Sequence, residues 1–163
     1  MSLLHLFRTP GLSPAQTRRL LTRASGLLAP TVTGIRSEAC YNIQATGTLG
    51  PRETETLTWL LSETFHPEGF SQESILSQDG PVLEVGPRMN FTTAWSTNAV
   101  GICHACGLGK IRRIERSRRF ILVRDQPLDE EEIRTFLSLV HDRMTELQYP
   151  EPLTSFETGM APE

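Results

Sequence analysis

The chain repeats itself. Laid over itself so that Leu49 falls on Leu128, it places Val32 on Ile111, Ile35 on Ile114, Tyr41 on Phe120 and Ile43 on Leu122. The same register carries Glu53 onto Glu132, Leu57 onto Phe136, Leu60 onto Leu139 and Leu61 onto Val140. Upstream, Gly26-Leu27 matches Gly107-Leu108, slightly out of that register. Self-similarity of this kind marks one supersecondary unit used twice, neither copy being able to bury its apolar face alone. The 163 residues leave room for two half-size units sharing a core,. A chain of this size buries about 70% of its unfolded surface on folding.

Each unit reads as strand, helix, long strand, helix. Ser13, Pro14 and Gln16 form an N-cap, first-turn proline and capping-box partner,. The helix they open puts Leu20, Leu21, Ala24, Leu27 and Leu28 on one face and is barred by Pro30,. A second helix starts at Pro51, with Leu57, Leu60, Leu61 and Phe65 as its apolar face. A third is expected from Ser96 to Cys106, where Ala99, Ile102, Cys103 and Cys106 fall at i, i+3, i+4 and i+7 and Gly107 ends the run,. The fourth opens at Asp129 and uses Ile133, Phe136, Leu137, Val140, Met144 and Leu147. Strands are expected over Leu3–Arg8, Val32–Gln44, Val82–Arg88 and Ile111–Arg124, the last bulged near Ser117,. His66–Gly80 reads as a loop.

The fold class is therefore α/β (α+β): tandem βαβα units, about 1–65 and 81–147, building a mainly antiparallel sheet with helices on one face. The units either join their sheets or pack them about a pseudo-twofold axis, each half covering the face the other leaves open. Residues 148–163, with Pro150, Pro152 and Pro162, read as the start of a linker.

Net charge is −3, which argues against a protein that coats nucleic acid,. No run approaches the ~20 apolar residues needed to cross a bilayer. The three cysteines give no even disulfide framework, so a reducing cytosol, and a cytoplasmic location, is the simpler expectation,. Five arginines and no acidic residue precede Glu38, a bias shared with targeting presequences, but the repeat uses these residues as a strand and a helix,.

Catalytic signatures are missing: there is no G-x-S-x-G, Walker loop or G-x-G-x-x-G,. Cys103-His104-Ala105-Cys106 sits at a helix C-terminus, where the dipole opposes a thiolate, and no second ligand pair exists for zinc,. Both thiols read as core cysteines, and no metal site is expected. His141 and Asp142 are adjacent on a helix and so diverge; Asp142 and Glu146 share a face and read as a solvated acidic edge near Arg143,. Lys110 to Arg119 is basic, with Glu115 as its one acid, but offers only Phe120 for stacking a base, so nucleic acid is not the expected partner,. The densest array of donors is Arg88, Asn90, Thr92, Thr93, Trp95, Ser96, Thr97 and Asn98, leaving a strand and entering a helix. It suits an anion at a helix N-terminus, or simple capping by Thr93 or Ser96 with Trp95 as an anchor.

The runs GPRMNFTTAWSTNAVGICHACGLG, RRIERSRRF, LVHDRMTE and SFETGMAPE, together with LLHLFR and SEACYNI, resemble the N-terminal region of the large, single-chain phosphoribosylformylglycinamidine synthases. The resemblance covers nearly the whole chain. It implies a fold like a dimer of the small stand-alone subunit of the multi-subunit bacterial form. It implies a parent enzyme of purine synthesis that uses ATP, Mg and glutamine, with those sites and a Cys-His-Glu glutaminase lying outside this chain. It also implies a scaffolding domain without cofactor or catalytic residues, ending where a linker to the catalytic core begins. Its partners would be the synthetase and glutaminase domains of the same enzyme, and its inter-domain or anion contacts would come from the Arg88–Asn98 segment, Arg116, Arg119 and the His141–Arg143 edge.

Overall fold

A computed structural model describes residues 3–28, 32–61, 70–74, 76, 82–142, 144–150, 153, 155 and 156. Its elements are β1 (Leu4–Arg8), α1 (Pro14–Leu27), β2 (Gly34–Ala45), α2 (Pro51–Leu61), β3 (Phe70–Ser71), β4 (Leu83–Pro87), α3 (Ala94–Ala105), β5 (Ile111–Val123), α4 (Glu130–Val140) and β6 (Glu146–Tyr149). They form an α+β fold with one antiparallel sheet in the order β3-β1-β2-β5-β4-β6. Among the described residues no helix is long and apolar enough to cross a membrane. The basic N-terminal stretch supplies β1 and α1 of this fold.

Local chemistry places the helices. Ser13 Oγ accepts the Gln16 N–H at 3.2 Å while the Gln16 side chain accepts the Ser13 N–H at 2.9 Å, closing the capping box of α1,. Asp129 and Glu132 make the same pair of bonds at the start of α4, at 2.8 and 3.2 Å. At α2 the Gly50 N–H donates to Glu53 at 3.0 Å, so half of the device recurs at the matching place in the first unit.

Strands and helices do not share one register of the repeat. Leu4 pairs with Ile43, and Leu83 with Phe120. The register that sets Leu49 on Leu128 also sets Leu4 on Leu83. Ile43 then has Phe120 as its structural counterpart, in place of Leu122. A slip of two along a strand keeps every side chain on its own face, so the apolar pattern matches in either register.

The halves join edge to edge through their longest strands, from Gly34 opposite Val123 to Ala45 opposite Ile111. Neither half covers the other. All four helices lie on one side of the sheet, over two cores. One gathers Leu20, Ala24 and Leu28 of the α1 region with Phe136, Leu137 and Val140 of α4, over Ile35, Leu83, Val85 and Phe120. The other gathers Leu57 and Leu61 of α2 with Cys103 of α3, over Leu6, Tyr41, Ile43, Ile111 and Ile114. Each core thus takes one helix from each half. The sheet's other side is polar yet buried: Glu38, Asn42, Glu84, Ser117 and Arg119 are all less than 5% exposed.

Several boundaries differ from expectation. The bulge lies at Arg112, since Gln44 faces Arg113 and Ala45 faces Ile111, while the ladder runs regularly through Ser117. α3 begins at Ala94, two residues before Ser96, because the Thr93 side chain caps it. α4 stops at Val140; His141 is extended, Met144 is 85% exposed, and Leu147 belongs to β6. β6 takes up Gln148 and Tyr149, and Phe156 is buried, so folded structure runs past residue 148. Phe70 and Ser71, within the expected loop, pair with β1. Cys103 is buried but Cys106 is exposed. Phe65 lies outside the described residues.

Candidate functional site

A cleft of about 630 Å³ opens between the two cores. Its floor is Ala39, Arg116 and Arg118, neighbours on the helix side of β2 and β5. One wall is Gly11, Leu12 and Gln16 at the start of α1; the other is Thr92, Thr93, Ala94 and Trp95 at the start of α3. Arg8, Thr145 and Glu146 stand at its rim.

The α3 wall is fixed to β5 by hydrogen bonds. Thr93 donates to Glu115 twice, from its N–H at 3.2 Å and its hydroxyl at 2.6 Å, and its Oγ1 accepts the Ser96 N–H at 3.0 Å. Ser96 Oγ accepts the Ile114 N–H at 3.2 Å. Arg113 Nε adds a third donor to Glu115 at 2.9 Å, so this wholly buried carboxylate meets donors on both oxygens,. The Arg116 guanidinium lies over the Trp95 ring, 4.1 Å from its centroid, and Trp95 packs on Tyr41 at 6.0 Å. A cation over an indole face contributes about 0.5–2 kcal/mol and holds both groups in place. Arg118 bonds Glu146 at 2.7 Å across the rim.

Of the expected site residues, the structure brings Thr92, Thr93, Trp95 and Arg116 together at the cleft. Ser96 is buried behind them as a brace, and the Thr97 hydroxyl returns to the Thr93 carbonyl at 3.3 Å. Asn98 faces a smaller hollow between α2 and α3. Arg88 donates its N–H to the Thr145 carbonyl at 2.8 Å, and Asn90 is exposed in the turn that follows. Arg119 is on the opposite side of the sheet, 3.4 Å from Glu38 and 3.6 Å from Glu84. His141 closes α4, and Asp142 lies in the next turn, accepting the Met144 N–H at 2.8 Å. Arg143 lies outside the described residues. Sequence reasoning missed Arg8 and held Arg118 only as one member of the basic run; the strand's period of two, applied to that run, puts Arg118 beside Arg116 and sends Arg119 to the other side.

Chemically the cleft offers hydrogen-bond donors and positive charge on rigid elements, suited to holding carboxylate-rich or polar groups. Among the described residues no three His, Cys, Asp or Glu side chains gather as a metal site requires.

Residues 38–155 match the family described as formylglycinamide ribonucleotide amidotransferase N-terminal. Over 98% of its length the chain is 41% identical to a probable phosphoribosylformylglycinamidine synthase, chloroplastic/mitochondrial, of Arabidopsis thaliana. Over its whole length it is 41% identical to phosphoribosylformylglycinamidine synthase of Dictyostelium discoideum, and over 98% it is 39% identical to the enzyme of Homo sapiens. The chain spans 12–13% of the length of these relatives. Matched over most of its fold and to such relatives along nearly all its length, the chain belongs to the formylglycinamide ribonucleotide amidotransferase N-terminal family.

Proposed function

We propose that this chain is the non-catalytic scaffolding domain of a phosphoribosylformylglycinamidine synthase, the ATP- and glutamine-dependent amidoligase of de novo purine synthesis. In this reading the synthetase and glutaminase portions bind ATP, Mg and glutamine, and this domain holds them in register so that ammonia passes between them. The observation that carries it is the cleft. Arg116 of its floor stacks on Trp95 of its wall, while both carboxylates at the cleft are engaged, Glu115 by Thr93 and Arg113 and Glu146 by Arg118. Such a site recognises and positions a partner; proton abstraction needs a base that is not already so engaged.

The test compares nitrogen sources in the full-length enzyme. Arg116→Ala is expected to lower glutamine-dependent synthesis about five-fold or more while ammonia-dependent synthesis falls less, as lost coupling between sites predicts. Equal loss of both would sink the coupling role.

A further inference from the structure

The cleft does not end at the start of α1. A second hollow, of about 350 Å³, lies between α1 and α4 and shares Leu12, Gln16 and Arg118 with it. Together they make one groove along the helix side of the sheet, from Trp95 of α3 to Leu139 of α4. Five arginines line it: Arg8 of β1, Arg116 and Arg118 of β5, and Arg19 and Arg23 of α1. Two carboxylates line it among the described residues, Glu115 and Glu146, each already bonded to an arginine. The groove is therefore basic in a chain whose net charge is −3, and such a concentration of one sign draws anions.

The spacing of the charges selects the shape of the anion. Arg8 and Arg118 flank Ala39 across the sheet, which sets their backbones about 10 Å apart. Arg116 and Arg118 are two residues apart on a strand, about 7 Å, and Arg19 and Arg23 are one helical turn apart, about 6 Å. The guanidiniums of Arg116 and Arg118 are anchored separately, one over Trp95 and the other on Glu146. Charges strung out at these intervals match an extended polypeptide, whose alternate side chains recur about every 7 Å on one face.

The second hollow adds apolar ground. Leu20, Phe120 and Val140 floor it, with Leu139 beside them, which suits an aliphatic side chain set among acidic ones. Nucleic acid fits less well. Phe120 is 1% exposed, and Trp95 has Arg116 over it and Tyr41 against it, so neither ring offers a face to a base,. The relatives extend far beyond the 12–13% of their length that this chain spans, so a peptide segment has a source in the same polypeptide.

We propose that the groove seats an extended acidic segment from the remaining part of the synthase polypeptide. Its carboxylates meet Arg116, Arg118, Arg19 and Arg23, and an apolar side chain enters the hollow between α1 and α4. The inference rests on the scaffolding reading and names what the cleft holds. Arginine suits this role because its planar fork fixes the orientation of a carboxylate as well as attracting it.

The test uses the full-length enzyme with a protease site engineered after Phe156. After cleavage, the wild-type domain is expected to co-elute with the remainder on gel filtration. Arg19→Glu with Arg23→Glu is expected to weaken that association about ten-fold or more. Arg52→Glu with Arg134→Glu changes the net charge equally on exposed positions of α2 and α4 outside the groove, and should leave the domain bound. The difference between these two double variants should shrink as salt rises from about 0.05 to 0.5 M, which a folding defect would not cause. Arg19→Lys with Arg23→Lys keeps the charge and supplies amines. Carbodiimide is expected to join them to aspartates or glutamates of one segment of the remainder, identified by mass spectrometry. Retention of the Arg19→Glu, Arg23→Glu domain, or no cross-link to the remainder, would overturn this inference and leave the scaffolding reading intact. Cross-links confined to Asp129, Glu130 or Glu131 of a second copy would assign the groove to self-association, and release of the domain by nuclease would assign it to nucleic acid; either overturns the proposal. Loss of the wild-type domain on cleavage would overturn the scaffolding reading itself, and this inference with it.

Discussion

On the polar side of the sheet Glu38 and Glu84 approach one guanidinium, that of Arg119, and all three are nearly inaccessible to solvent. Burial pushes the Glu84 carboxyl above its ordinary value near 4.5; the Ser117 hydroxyl and Arg119 oppose this and Glu38 adds to it,. Between the ordinary and the raised value the folded state keeps a proton that the unfolded chain has released. Stability therefore falls as pH rises through that window. Glu84→Gln is expected to flatten the fall, measured as thermal melts from pH 4.5 upward; an unchanged slope would assign the proton to another group. Nothing in the sequence around Leu83-Glu84-Val85 announces a buried carboxylate, because its partners come from β2 and β5. Cys106 is a similar case. Helical spacing accounts for the burial of Cys103, but Gly107, at φ 87°, turns the chain at the end of α3 and leaves Cys106 outside.

At the scale of elements, what is legible is what is local. The capping boxes of α1 and α4 join residues three apart, and both stand where serine, glutamine, aspartate and glutamate place them. Asp129→Ala should destabilise the domain by about 1 kcal/mol, the usual effect of deleting an N-cap. That lowers Tm by about 2–4 °C at this size, as differential scanning calorimetry would read; no change would mean that the Arg124–Glu132 pair holds the turn unaided. α3 starts earlier than its sequence suggests because Ser96, a plausible cap, is instead committed to the Ile114 N–H of β5. α4 ends earlier than its apolar period suggests because Met144 and Leu147 happen to continue that period beyond the helix. β6 is only four residues long and exists by virtue of the edge of β4, which no short window of sequence displays.

For the molecule as a whole, the repeat predicts two like halves, and the order of elements follows it. Their arrangement is not legible, since the pattern of apolar residues says which faces are buried but not whose helices meet there. α1 packs with α4, and α2 shares a core with α3. A piece ending at Leu76 therefore lacks half of each core, as does a piece beginning at Val82. Neither is expected to show a cooperative melt alone by circular dichroism, while an equimolar mixture should. A cooperative transition in either piece alone would mean that the cores are separable. The β2–β5 ladder and the shared cores thus have a consequence in mass action. The peptide connection between the halves supplies an effective concentration, on the order of millimolar for a short tether. Cut there, the domain would become a heterodimer whose stability depends on dilution.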